Sequence, residues 1–278
     1  MTAAIGVVVV AYRSVGTLGD MLDSLTASTN RALQVVVVDN SPADDGTAAI
    51  VESRGAQLLP SRDNPGYGTA VNRGVDALDP DVEWLVVANP DLRVEPGAID
   101  ELLSAESHAE RVGSLGPLIR DDAGVAYPSA RKLPSLRTGI GHALFVRVWP
   151  ENPWTRRYRN DHEVRERTAG WLSGAFLVVR RRAFAQIGGF DQRYFMYFED
   201  VDLGRRLGIA GWNNLYVPSA VVVHTGAAST RLDARPMIRA HHRSAYLYLA
   251  EKYHAWYLWP LRVALRLGLW VRGQLAHG

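Results

Sequence analysis

The chain has 278 residues, 47% of them hydrophobic and 22% charged, with 25 Gly, 14 Pro and no Cys. That length suits one large domain or two small ones around a sizeable core, and the lack of cysteine excludes disulfides, thiolate metal sites, iron–sulfur clusters and a Cys nucleophile. A formal net charge of +2 gives no ground for nucleic-acid binding, and neither lysine, Lys132 or Lys252, follows a glycine, so no Walker A loop exists.

Strand-like and helix-like segments alternate from the start. Ile5–Ala11 is a β-branched run that predicts a strand buried on both faces. Leu18, Met21, Leu22 and Leu25 lie on one face of a helix over 17–28. Val35–Val38 predicts a second buried strand, closed by the polar cluster Asp39-Asn40-Ser41-Pro42. A helix over 47–53, a short strand over 57–59 and a helix over 68–78 follow. Trp84–Val87 predicts a fourth strand, stopped by Ala88-Asn89-Pro90-Asp91. Such alternation with short connections implies a parallel α/β sheet. Residues 128–167 are rich in Arg, Pro and Trp and show no sustained period. They read as a long loop with one helix near 138–148. A strand over 175–179, a helix over 182–187 stopped by Gly188-Gly189 and a helix over 200–209 come next. Strands over 214–217 and 220–224 then lead into a mostly helical tail from Pro236. Met1 to Val10 has no charged leader, and no uncharged apolar stretch reaches 18 residues. A cytoplasmic chain without a membrane span is expected.

Ligands of open α/β sheets bind beyond the carboxyl ends of the strands. Three polar clusters fall there: Tyr12-Arg13, Asp39-Asn40-Ser41 and Asn89-Pro90-Asp91. One such cluster is ordinary turn chemistry; three on one edge mark a site. Asp91 sits on a stiff turn suited to a hard divalent cation, although it can equally help to cap the next helix. Asn64-Pro65-Gly66-Tyr67-Gly68 opens a helix but lacks the third glycine of a dinucleotide fingerprint; its backbone N–H groups can still meet an anion. In the stretch Phe190–Asp202, Glu199, Asp200 and Asp202 stand among bulky aromatics. Such crowding raises a carboxylate pKa, as a general base requires, but the same acids also suit the first turn of a helix. His224, at a strand end, reads either as a structural residue or as a ligand. HExxH and GxSxG patterns are absent.

The segments VVVVAYR (7–13), VVVVDNS (35–41), NPGYGTAVNRG (64–74), VANPDL (87–92), WLSGAFLVVRR (171–181), GGFDQRYFMYFEDVDLGRRL (188–207) and HTGAAST (224–230), in this order and spacing, resemble the family 2 inverting glycosyltransferases of GT-A fold. Within that family the chain is most similar to bacterial rhamnosyltransferases acting on polyprenyl-diphosphate-linked sugars. The resemblance implies a catalytic domain over 1–230, with a nucleotide-binding half (1–95) and an acceptor-binding half (96–230), followed by a helical extension over 231–278. It further implies that Tyr12, Arg13, Asp39, Asn64, Gly66, Asn89 and Asp91 bind a dTDP- or UDP-sugar donor, with Asp39 accepting a hydrogen bond from the pyrimidine. Asp91 and His224 would hold Mg²⁺ or Mn²⁺, and Asn89 replaces the first acid of the family's DxD motif. Glu199-Asp200 matches the acid pair whose second member is the base, and Trp171, Ser173 and Gly174 fall where the acceptor sugar binds.

The implied reaction moves a hexose, foremost L-rhamnose from dTDP-rhamnose, onto a lipid-diphosphate-linked sugar. UDP-glucose or UDP-galactose as donor, and a non-catalytic nucleotide-sugar-binding protein, are the alternatives. In the tail, Trp256, Trp259 and Trp270 mix with Arg262, Arg266 and Arg272. That pattern suits an interfacial helix on the inner face of the membrane, or a helix packed on the catalytic domain or against a second subunit of a homo-oligomer.

Overall fold

The computed structural model describes residues 5–136, 163–225 and 234–275. Its strands are β1 (Ile5–Ala11), β2 (Leu33–Asp39), β3 (Gln57–Pro60), β4 (Trp84–Ala88), β5 (Leu92–Val94), β6 (Val112–Asp121), β7 (Ala126–Tyr127), β8 (Ala130–Arg131), β9 (Arg167–Ala169), β10 (Trp171–Leu172), β11 (Phe176–Arg180) and β12 (Asn213–His224). Its helices are α1 (Val15–Ala27), α2 (Thr47–Glu52), α3 (Tyr67–Asp76), α4 (Ala98–Ser104), α5 (Arg181–Gln186), α6 (Glu199–Ile209), α7 (Ala234–Lys252) and α8 (Trp259–Leu275).

The main sheet runs β3-β2-β1-β4-β11-β6-β12-β5. Strands β3, β2, β1 and β4 are parallel, and β11 runs against both β4 and β6. Alternation along β1 explains why both faces are covered. Val7 and Val9 join Leu18, Met21 and Leu25 of α1 and Ile99 and Leu102 of α4 on one face. Val8 and Val10 meet Val71 and Val75 of α3 and Leu203 and Leu207 of α6 on the other.

The structure corrects three expectations. The long central strand β6 has no counterpart among the predicted elements, because Gly113, Ser114, Gly116 and Pro117 dilute its apolar run. Those small residues let Trp212 and Leu172 close over it: a Cβ at Gly113 would lie 2.6 Å from Trp212 Cβ. The two expected strands near 214–217 and 220–224 are one strand, β12, with a register shift between Val217 and Val221 where Pro218 is accommodated. Within the supposed loop over 128–167, β8 pairs with β10 and β9 begins at its end. The helix expected near 138–148 lies outside the described residues.

Helix α6 crosses β10 at Gly204, where an added Cβ would stand 2.7 Å from both Cα and Cβ of Trp171. Backbone and a packed indole cannot retreat as a flexible tip could. Gly204→Ala is therefore expected to lower stability by about 1–3 kcal/mol, read as a drop in thermal midpoint. An unchanged midpoint would show that α6 is free to shift.

Candidate active site

Parallel register brings the first two polar clusters together. Ala11 of β1 aligns with Asp39 of β2, and Asp39 with Pro60 of β3. The Asp39 carboxylate is buried. Its Oδ1 accepts the Ser41 N–H (3.0 Å), and its Oδ2 accepts Arg62 Nη1 (2.9 Å). Ser41 Oγ in turn accepts the Arg13 N–H at 2.9 Å; Arg13 has φ +51°, and its guanidinium lies 5.4 Å from the Tyr12 ring centroid. Arg62 is absent from the sequence-based candidates, although it lies just beyond β3 on the same edge as the three clusters.

The third cluster meets its partner through antiparallel pairing. Strand β12 runs against β5 with His224 opposite Leu92, which sets His224 beside Asp91. Thr225 donates from both N–H (3.1 Å) and Oγ1 (3.0 Å) to the Asp91 carbonyl and fixes this corner. His224 Nε2 lies 3.1 Å from Asp91 Oδ2, yet it is buried without an aligned hydrogen-bond partner. The Asp91 carboxylate raises the imidazole pKa, against the opposing effect of burial. An imidazole nitrogen 3.1 Å from a carboxylate oxygen places two common ligand types side by side, which suits a shared divalent cation. Among the described residues no third His, Asp or Glu joins them, so a cation here would complete its shell with water and substrate oxygens, as Mg²⁺ commonly does.

The acid pair opens α6. Asp200 Oδ2 accepts the Gly174 N–H (3.0 Å) and Oδ1 the Val201 N–H (2.8 Å). Glu199 is buried, and its Oε2 has no hydrogen-bond partner among the described residues. Burial raises the pKa of both acids, and the Asp200 charge pushes Glu199 up further. The hydrogen bonds single out Asp200 as the member held ready as an anion, whereas Glu199 is the one kept protonated. Asp202 plays a structural part. Fully buried, it ties Arg205 (3.1 Å) and Arg206 (2.6 Å) along its own helix.

Tyr67 lies in the marked segment 64–68, but the sequence gives its side chain no role in the site. Its hydroxyl donates to the Gly174 carbonyl at 2.7 Å. Burial, with the charges of Glu199, Asp200 and Asp91, drives its pKa far up, so it acts as a neutral donor. The Tyr67 N–H, expected to be open to an anion, instead donates to the Phe195 carbonyl (2.9 Å). Gly66, at φ +95°, lets that backbone approach: a Cβ there would lie 2.3 Å from Phe195 O. Asn64 has φ +40°, and its N–H donates to the Ser61 carbonyl (3.0 Å). Trp171 is buried, with Nε1 donating to the Lys132 carbonyl at 3.2 Å, and the Ser173 N–H donates to Ser129 O at 2.7 Å. The Asn89 N–H donates to Ala175 O (2.8 Å), which ties the turn after β4 to the segment before β11.

Just before the acid pair, Tyr197 and Phe198 both have φ +66°, a conformation costing bulky residues about 1–3 kcal/mol each. Helix α7 holds them there. His241 packs edge-on against both rings at 5.5 Å, fully buried Tyr248 lies 5.6 Å from Phe198, and Ser244 Oγ donates to Met196 O (2.9 Å). Glu251 accepts from Arg193 (2.5 Å) and from Arg205.

A family model described as "Glycosyltransferase like family 2" matches residues 3–246. The chain is 50% identical, over 99% of its length and 93% of the relative's, to an N-acetylglucosaminyl-diphospho-decaprenol L-rhamnosyltransferase of Mycobacterium tuberculosis. It is 31% identical to the rhamnosyltransferase WbbL of Escherichia coli, over 62% of this chain and 63% of that one. Among solved structures it superposes on GalNAc-T7 with UDP, GalNAc and Mn²⁺ at a TM-score of 0.59 and 16% identity, covering 81% of this chain and 44% of that one. That likeness identifies the GT-A fold.

Proposed function

Because this chain belongs to glycosyltransferase family 2, we propose that it transfers L-rhamnose from dTDP-rhamnose, with inversion, onto N-acetylglucosamine linked through a diphosphate to a polyprenol. Identity of 50% to a relative named as an N-acetylglucosaminyl-diphospho-decaprenol L-rhamnosyltransferase supports the transferred sugar and the acceptor. The observation that carries the chemistry is the Asp200 carboxylate, fixed by the Gly174 and Val201 N–H groups, with the Tyr67 hydroxyl donating to the carbonyl of the same Gly174. In this mechanism an acceptor hydroxyl attacks the anomeric carbon while the bond to the departing diphosphate oxygen breaks, and the hydroxyl proton passes to Asp200. One in-line step inverts the carbon without a covalent intermediate. Asp39 and Arg62 take the pyrimidine end of the donor, and Asn64, Gly66 and Asn89 belong to the same donor half. Trp171, Ser173 and Gly174 form the acceptor side. Asp91 and His224 would hold Mg²⁺ or Mn²⁺, which when bound offsets the charge growing on the leaving diphosphate.

We place this reaction at the inner face of the cell membrane. No helix among the described residues is long and apolar enough to cross a membrane. However, Trp256, Tyr257, Trp259, Val263, Leu267 and Trp270 leave an exposed apolar stripe before and along α8. Two expected headgroup contacts have other duties. Arg262 donates to the carbonyls of Tyr253 (3.0 Å) and Ala255 (2.9 Å), and Arg266 lies 6.0 Å from the Tyr246 ring centroid. The stripe therefore offers aromatic and aliphatic surface more than charge.

The test is acceptor-dependent release of nucleoside diphosphate across a donor panel. We expect dTDP-rhamnose to give the highest kcat/KM, with release at background when acceptor is omitted. A preference for UDP-glucose or UDP-galactose would replace the donor and keep the chemistry. Release from no donor would overturn the enzyme in favour of a binding protein.

A further inference from the structure

Arg131 stands on β8, directly across from Trp171 on β10. Its guanidinium carbon lies 5.5 Å from the Tyr127 ring centroid and 5.6 Å from that of Trp171, so two aromatic rings hold it. Its Nε donates to the Pro128 carbonyl at 2.8 Å, and its own carbonyl accepts the Gly170 N–H at 2.8 Å. Backbone and side chain are both pinned, and among the described residues it forms no ion pair. Most arginines near the acid pair are neutralised: Arg193 by Asp191 and Glu251, Arg205 by Asp202 and Glu251, and Arg206 by Asp202. Arg131 has no such carboxylate partner among the described residues.

A half-buried, preorganised guanidinium without a counter-ion is suited to an anion with paired oxygens, which it grips bidentately. Its position indicates which anion. The chain runs from Trp171 to Gly174, whose N–H holds Asp200, and the Arg131 charge is felt at the Asp200 carboxyl. The donor groups Asp39 and Asp91 belong to the ends of β2 and β4, outside this β8–β10 pair. Arg131 therefore stands on the proposed acceptor side of the site, within electrostatic reach of Asp200.

We propose that Arg131, clamped between Tyr127 and Trp171, binds the diphosphate of the acceptor and so selects diphosphate-linked sugars over neutral glycosides. This rests on the acceptor class given under Proposed function. Charge-assisted hydrogen bonds contribute about 1.5–3 kcal/mol, equivalent to about 10- to 150-fold.

The experiment compares full-length wild type, Arg131→Gln and Arg131→Lys on N-acetylglucosaminyl-diphospho-farnesol and on neutral octyl N-acetylglucosaminide. Thermal melts and donor KM serve as folding controls. Arg131→Gln is expected to raise KM for the diphosphate acceptor by about 10- to 100-fold. Its donor KM should stay within about twofold, and its kcat/KM on the neutral glycoside should fall at least about tenfold less than on the diphosphate acceptor, the smaller fall reflecting the Arg131 charge felt at Asp200, while Arg131→Lys recovers part of the loss. Pyrophosphate should compete with the acceptor on wild type and lose potency on Arg131→Gln. Equal losses on both acceptors would reduce Arg131 to a support for Trp171 and overturn the assignment, and a raised donor KM would move the contact to the donor. A wild type that prefers the diphosphate acceptor alongside an Arg131→Gln that keeps the preference would refute Arg131 alone. A wild type that does not distinguish the two acceptors would overturn the acceptor class itself.

Discussion

Asp200→Asn is expected to lower turnover by a factor of about 100 to 10,000, the range for loss of a general base, with donor affinity retained. Asparagine keeps the shape but has one acceptor oxygen where Asp200 offers two, so either the Gly174 or the Val201 N–H loses its partner. Donor binding and turnover must therefore be measured separately. Glu199→Gln is the matched control. Its Oε2 has no hydrogen-bond partner among the described residues, and the acid is held protonated, so a neutral amide should preserve most of the rate. Near-normal turnover in Asp200→Asn with collapse in Glu199→Gln would exchange the two roles.

The pH dependence has a definite sign. Burial raises the Asp200 pKa, and the base must be ionised to work. Activity should therefore fall on the acid side at a pH above the usual carboxylate range. Stability follows the opposite sense for both acids. A folded-state pKa raised above the unfolded one contributes stability below the unfolded pKa, and that contribution fades as pH rises through the folded value. Glu199→Gln should flatten this loss, visible as a smaller drop in melting temperature between acidic and mildly alkaline buffer.

The second large effect concerns the cation proposed at Asp91 and His224. A cation offsetting charge on a leaving diphosphate supplies several kcal/mol, so excess EDTA or Asp91→Ala should leave transfer below about one-hundredth of wild type. Added Mg²⁺ or Mn²⁺ should restore the chelated enzyme but not the variant. Binding of the nucleoside diphosphate alone, with and without metal, gives a readout independent of turnover. Full activity in excess EDTA would assign charge neutralisation to arginine side chains instead.

Much of this candidate site is legible in the sequence because its chemistry sits where local rules are strong. Strands β1, β2 and β4 are uninterrupted apolar runs, so their ends, and the polar residues there, can be located to within a residue or two. The acid pair announces itself by three acids crowded among aromatics at a helix start. What cannot be read depends on distant pairing. Asp91 and His224 meet only because β12 runs against β5, and no local pattern encodes that neighbour. Strand β6 is hidden by the glycines that its own packing requires. Arg62 is a different case: the edge argument extended to β3 finds it. The helical tail is expected, yet nothing in its sequence tells that Tyr248 is buried beneath Phe198 and that α7 braces two left-handed residues ahead of the acid pair. Those backbone angles leave no trace in the dipeptide Tyr-Phe, since neither residue favours φ above zero.

A single displacement with Asp200 as base fixes the configuration of the product. NMR of the transferred sugar in the purified product reports its anomeric configuration against that of the donor. Inversion in every molecule of product is the expected result. Retention would require a covalent or ion-pair intermediate for which Asp200, held by two backbone N–H groups, is not arranged, and would contradict the single displacement.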